Sequence, residues 1–181
     1  MLKRRRAGKL SALPSGYTAL DYLESSGTQY VDTGVYLSDL HNVVFTMQQT
    51  QNEGVSGAVF GSQDEGNATS YAWSIYGASG ARFGWFFYKT LSQNVLQSSI
   101  PSYTRFDLLR AAGRLKINDS WLPLPTVEGA FRAESTCWLF SRNSYSPPTK
   151  FIGKIFSFEM TGATRMKLLP ALRNADGVPG M

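Results

Sequence analysis

The chain reads as an all-β fold, a sandwich or jelly roll of two antiparallel sheets, and three observations lead there. Aromatic residues make up 13% of the 181 residues and charged residues only 17%. That balance, with abundant Gly, Ser and Thr, suits pleated and half-buried surfaces and excludes a disordered chain. Short apolar runs are punctuated by polar, glycine-bearing patches such as "QTQNEGVSG", "GSQDEGNATS", "AAGRL" and "SRNSYSPPT", the pattern of strands joined by turns. No apolar stripe at helical spacing persists for as much as about ten residues.

Taken in order, the runs predict strands over 41–49, 57–61, 71–76, 82–89, 105–111, 114–117, 136–141 and 152–161. "SYAWSIYGASGARFGWFFYKT" reads as a hairpin about "GASG", because apolar runs flank a glycine turn. "FDLLRAAGRLKINDSWLPL" turns in the same way at Ala112–Gly113 and again about Asn118, Asp119 and Ser120. Residues 18–23 resemble a short helix or turn. Within single strands, alternation puts Tyr71, Trp73 and Ile75 on one face and Ser74 and Tyr76 on the other. Phe83, Trp85 and Phe87 likewise stand opposite Arg82, Gly84, Phe86 and Tyr88. The more aromatic sets are expected in the core, and the others on an exposed concave face.

The net charge of +5 is unevenly placed. Lys3, Arg4, Arg5, Arg6 and Lys9 supply five positive charges, leaving thirteen Lys and Arg against thirteen Asp and Glu. The expected organisation is a basic arm over 1–12 and one neutral domain over 13–181, a size that buries its own core. A nucleic-acid surface spread over the domain is disfavoured, since phosphate binding needs a basic face on the fold. The arm suits an acidic partner surface, or else is a solvated tail. Residues 1–17 are basic without an apolar stretch behind them, so no secretory signal peptide is read. No run approaches the about 18 apolar residues that cross a bilayer, and no membrane insertion is expected. The single Cys137 excludes an internal disulfide and reads as a buried structural thiol.

The opening phrase "LPSGYTALDYLESSGTQYVDTGVYL" resembles the start of concanavalin A-like (laminin-G-like) jelly-roll modules of phage structural proteins and gut-bacterial surface proteins. "FIGKIFSFEM" is similar to a later strand of that family, and "LLPALRNADGVPGM" to its closing phrase. The resemblance brackets 13–181 and implies a concanavalin A-like β-sandwich whose amino-terminal segment pairs near the carboxy-terminal strand. On it, Pro14 and Gly16 shape the entry, Tyr22, Leu23, Tyr30 and Val31 face the sandwich, and Asp32-Thr33-Gly34 ends the first strand. The phrase is thereby architectural. The family commonly continues into a further closing strand, and the end at Met181 raises oligomerisation by edge pairing as an expectation.

Catalysis finds little support. Glucan hydrolases of this fold alternate carboxylates along one strand, and no Glu-x-Asp-x-x-Glu pattern is present. His41 could be a base for Ser38 or Ser56, but a surface or edge-strand histidine is the plainer reading. No cofactor is expected, although Asp64, Glu65 and Asn67 leave calcium open in a loop without a regular calcium pattern. The chemical reading is glycan binding, with Tyr76, Arg82, Phe86 and Tyr88 stacking and orienting a sugar beside Asp64 and Asn67. The alternatives for these aromatics are a protein contact or a second core layer. Two functions follow: a non-catalytic, lectin-like attachment module on a phage virion or bacterial surface, or a structural virion protein. The second would be a capsid decoration or tail component that assembles with other virion proteins, or with itself, and anchors through the basic arm.

Overall fold

A computed structural model describes residues 13–50, 57–63, 70–78, 81–89, 95–99, 106–111, 114–117, 120–123, 132–143 and 151–180. Between 70 and 123 it is the strand register that is described, together with the exposure of Ala72 and Trp121. The basic arm and the 64–69 loop, with Asp64 and Asn67, lie outside the described residues.

The described chain is all strand and turn, in sixteen elements. β1 (Tyr17–Ala19), β15 (Ala171–Arg173) and β16 (Val178–Gly180) form a small sheet in the order β1-β15-β16. β3 (Val31–Ser38), β12 (Arg132–Leu139), β5 (Gly57–Gln63), β6 (Ser70–Ala78), β7 (Ala81–Lys89) and β8 (Val95–Ser99) form a six-stranded sheet in that order. The facing seven-stranded sheet runs β11 (Ser120–Pro123), β10 (Arg114–Ile117), β9 (Phe106–Ala111), β4 (His41–Gln49), β13 (Ile152–Gly162) and β14 (Met166–Leu168). β2 (Leu23–Ser26) joins it by pairing with the start of β13. All the strand pairings are antiparallel, so the architecture is the sandwich of two antiparallel sheets expected from the sequence.

Alternation builds the core. β4 buries Val43, Phe45 and Met47, and β12 buries Ala133, Cys137 and Leu139. Phe60 from the six-stranded sheet meets Phe45 and Phe158 of the other at ring centroid distances of 5.1 and 5.4 Å, edge to face. Each such buried ring contributes on the order of 2 kcal/mol from area alone. On β13 the register slips between Ile155 and Ser157. This bulge lets Ile155 and Phe158 both face inward although three residues apart, and it leaves Phe156 on the outside against Tyr22.

The opening phrase is a chain of turn chemistry. Leu20 N–H donates to the Pro170 carbonyl, and Asn174 N–H to that of Gly16. β1 pairs with β15, so the beginning and end of the described chain are joined as expected. Residues 18–23 are not a helix: Tyr17–Ala19 and Leu23–Ser26 are strands of different sheets with a bend between them. The Gln29 side-chain oxygen accepts from Ser26 N–H, Ser25 Oγ and Ser26 Oγ, tying down the "SSGTQ" turn. Asp32-Thr33-Gly34 does not end a strand. It forms an irregularity within β3, where Asp32 Oδ1 accepts from Gly34 N–H and Gly34 has φ of +69°. Thr33 Oγ1 donates to the Cys137 carbonyl at 2.8 Å, stitching the irregularity to β12. Leu23 and Val31 pack on the core, but Tyr22 and Tyr30 are on the outside.

His41 also departs from expectation. It is buried, and β4 is a central strand between β9 and β13. Its Nδ1 accepts from Ser38 N–H at 3.0 Å and from Ser38 Oγ at 2.9 Å, clasping the turn that carries the chain from one sheet to the other.

Candidate binding ledge on the six-stranded sheet

The outer surface of β3 and β12 collects exposed aromatic and charged groups, and alternation explains why. On β12, Arg132, Glu134, Thr136 and Trp138 point away from the face that buries Ala133, Cys137 and Leu139. On β3, Asp32, Gly34 and Tyr36 are exposed while Leu37 is buried. The register sets Trp138 opposite Asp32 and Thr136 opposite Tyr36.

Two aromatic stations stand along this ledge. Tyr30, half exposed, lies flat on Trp138 with ring centroids 3.9 Å apart and 16° between planes. Arg132 holds its guanidinium 5.3 Å above the ring of Tyr36, an electrostatic attraction between cation and ring face. The six steps from Arg132 to Trp138 cover about 20 Å at strand rise. Thr136 lies between them and accepts on Oγ1 from Asn143 Nδ2 at 3.2 Å. The Trp138 indole N–H is buried and has no hydrogen-bond partner. Beyond Trp138 the row passes to Gly61 and Ala72, both buried, so among the residues whose exposure is described the open part of this surface is the β3–β12 ledge.

The four strand residues of the glycan expectation, Tyr76, Arg82, Phe86 and Tyr88, are described by their strand register alone. Phe60 faces the core and pairs with Trp73, which pairs with Phe86, so Phe86 takes a register position on the Phe60 face. Arg82 and Tyr88 share that face by alternation. Tyr76 pairs with Phe83, one residue out of step with the Trp73–Phe86 pair in alternation.

Sequence reasoning did not single out Tyr36, Arg132 and Trp138, and it turned Tyr30 towards the sandwich. The signal was the alternation in "RAESTCWL", obscured because the predicted strand began only at Thr136.

The Ser38–His41 pair has the atoms of a nucleophile and base but the surroundings of a turn. Ser38 is buried, and its Oγ also accepts from Leu40 N–H at 3.3 Å. Burial pushes the Cys137 thiol well above its ordinary range, so this thiol is neutral and unreactive in the folded chain. Among the described residues no group of three or more His, Cys, Asp or Glu could hold a metal ion. No described helix is long and apolar enough to cross a membrane.

No family model matches the chain, and none of the curated proteins matches it. Among solved structures the chain is similar to domains LG4-5 of the mouse laminin alpha1 chain, at 13% identity and a TM-score of 0.48. The likeness covers 92% of this chain and 48% of that one, so the chain spans about half of that structure.

Proposed function

We propose that the chain is a non-catalytic binding module that recognises a surface glycan on the β3–β12 ledge, as an attachment component of a phage particle or bacterial surface. The observation that carries this reading is the pair of aromatic stations, Tyr30–Trp138 and Tyr36–Arg132, on one open sheet surface. Sugar rings offer C–H faces that stack on aromatic rings, and their hydroxyls donate hydrogen bonds to neighbouring carboxylates and exchange them with neighbouring hydroxyl groups. Asp32, Glu134 and Thr136 provide those groups. The non-catalytic part is supported by a sequence without the alternating carboxylates of glucan hydrolysis and by a Ser38–His41 pair buried in a turn. The phage setting rests on the resemblance of the opening phrase.

The test is a broad glycan-array screen of the full chain, run with calcium and with a chelator. Raised ionic strength screens the basic arm, so that charge alone does not hold acidic sugars. A defined hit is the expected result, and a hit lost with chelator would add calcium to the site. A blank from folded protein overturns glycan recognition and transfers the proposal to a structural virion role, with the arm contacting an acidic neighbour.

A further inference from the structure

We infer that Tyr30 is a built-in stand-in for the ligand, a side-chain gate that a sugar ring displaces from Trp138. The inference rests on the ledge reading above and specifies how that site is regulated. Tyr30 lies on the indole in the parallel geometry that a stacked sugar would take, at 3.9 Å and 16°. It therefore occupies the face of Trp138 that the proposed function requires.

The closed stack leaves one demand unmet. The Trp138 indole N–H is buried without a hydrogen-bond partner, an uncommon and unfavourable state for a buried donor. That N–H points outward in the indole plane, so its partner must come to the ring edge: Tyr30 supplies none there, whereas a sugar that stacks on Trp138 and overhangs this edge turns a hydroxyl oxygen down to it. Exchange of Tyr30 for a sugar keeps the stack and gives the N–H a partner.

The local backbone confines the movement to the side chain. On one side, Gln29 is anchored through its side-chain oxygen to Ser25 and Ser26. On the other, Val31 is paired with Leu139 and Asp32 with Trp138. Between these fixed points the exposed Tyr30 ring has solvent to rotate into. Such rotation is a fast rotamer change and needs no strand to move. The gate also selects: a ligand must stack at least as well as a phenol ring, so small polyols that lack a stacking face are excluded.

The test compares full-length wild type, Tyr30→Ala and Trp138→Phe on a neutral-oligosaccharide array, followed by titration of the sugars bound. Tyr30→Ala is expected to tighten binding about three- to tenfold, the scale of one aromatic pair. Trp138→Phe is expected to weaken binding, because it loses both area and the N–H. In the absence of sugar, acrylamide should quench Trp138 emission more in Tyr30→Ala, with Trp138→Phe providing the subtraction. Binding by wild type that Tyr30→Ala weakens or leaves unchanged overturns the gate alone. Binding by neither wild type nor Tyr30→Ala overturns the sugar ledge itself, whatever the quenching shows.

Discussion

Gly162 shows how a single position can be fixed by its neighbours. It pairs with His41 and has φ of +103°, and a Cβ there would run into the Leu40 carbonyl oxygen. Gly162→Ala therefore meets both a backbone penalty and a clash, and should destabilise the fold by about 1–3 kcal/mol or more. Denaturant unfolding reads this as a lower midpoint with an unchanged slope. At Cys137 burial raises the thiol pKa, with the sign that follows. The unfolded thiol ionises near about 8.5 while the buried one stays protonated. Its contribution is thus complete below that pH and lost as pH rises towards the raised folded value. Stability should fall in that window with a limiting slope of about 1.4 kcal/mol per pH unit, and Cys137→Ala should flatten the fall. The same thiol should resist a disulfide reagent until the chain is unfolded.

Among the elements, long alternating strands were legible and short or irregular ones were not. β4 was predicted with its observed limits, because Val43, Phe45 and Met47 recur at every second position, with Thr46 buried between the last two. β1 and β2, at three and four residues, carry too few alternations to register, and residues 18–23 looked instead like a helical turn. The Asp32-Thr33-Gly34 irregularity was read as a strand end because the same residues serve both purposes. Its weight can be measured. Thr33→Val removes the donor to the Cys137 carbonyl and the acceptor for Val35 N–H, and should cost about 1–3 kcal/mol. Thr33→Ser, which keeps the hydroxyl, should recover most of that loss. The ledge was hidden for a related reason: Arg132 and Glu134 look like loop residues until the register of β12 with β3 shows which way they face.

At the scale of the molecule, two large sheets enclose the aromatic core while a three-stranded sheet joins the beginning and end of the described chain. These parts should differ in local stability. β4 and β13 are paired on both sides and bury Phe45, Phe158 and Met160, so their amides should be the slowest to exchange hydrogen. β1, with three exposed residues that among the described residues pair with β15 alone, should exchange much faster. Comparable protection in β1 and β4 would contradict this picture. The central claim, however, concerns the ledge, where the six-stranded sheet turns its Tyr30, Tyr36, Arg132 and Trp138 outward. It is tested most directly by a nuclear magnetic resonance titration of the isotope-labelled full chain with the sugars selected by the array. The account predicts shifts concentrated on the Trp138 indole N–H and the amides of Asp32, Tyr36 and Thr136. Shifts confined to another surface, or none with any sugar, would contradict it.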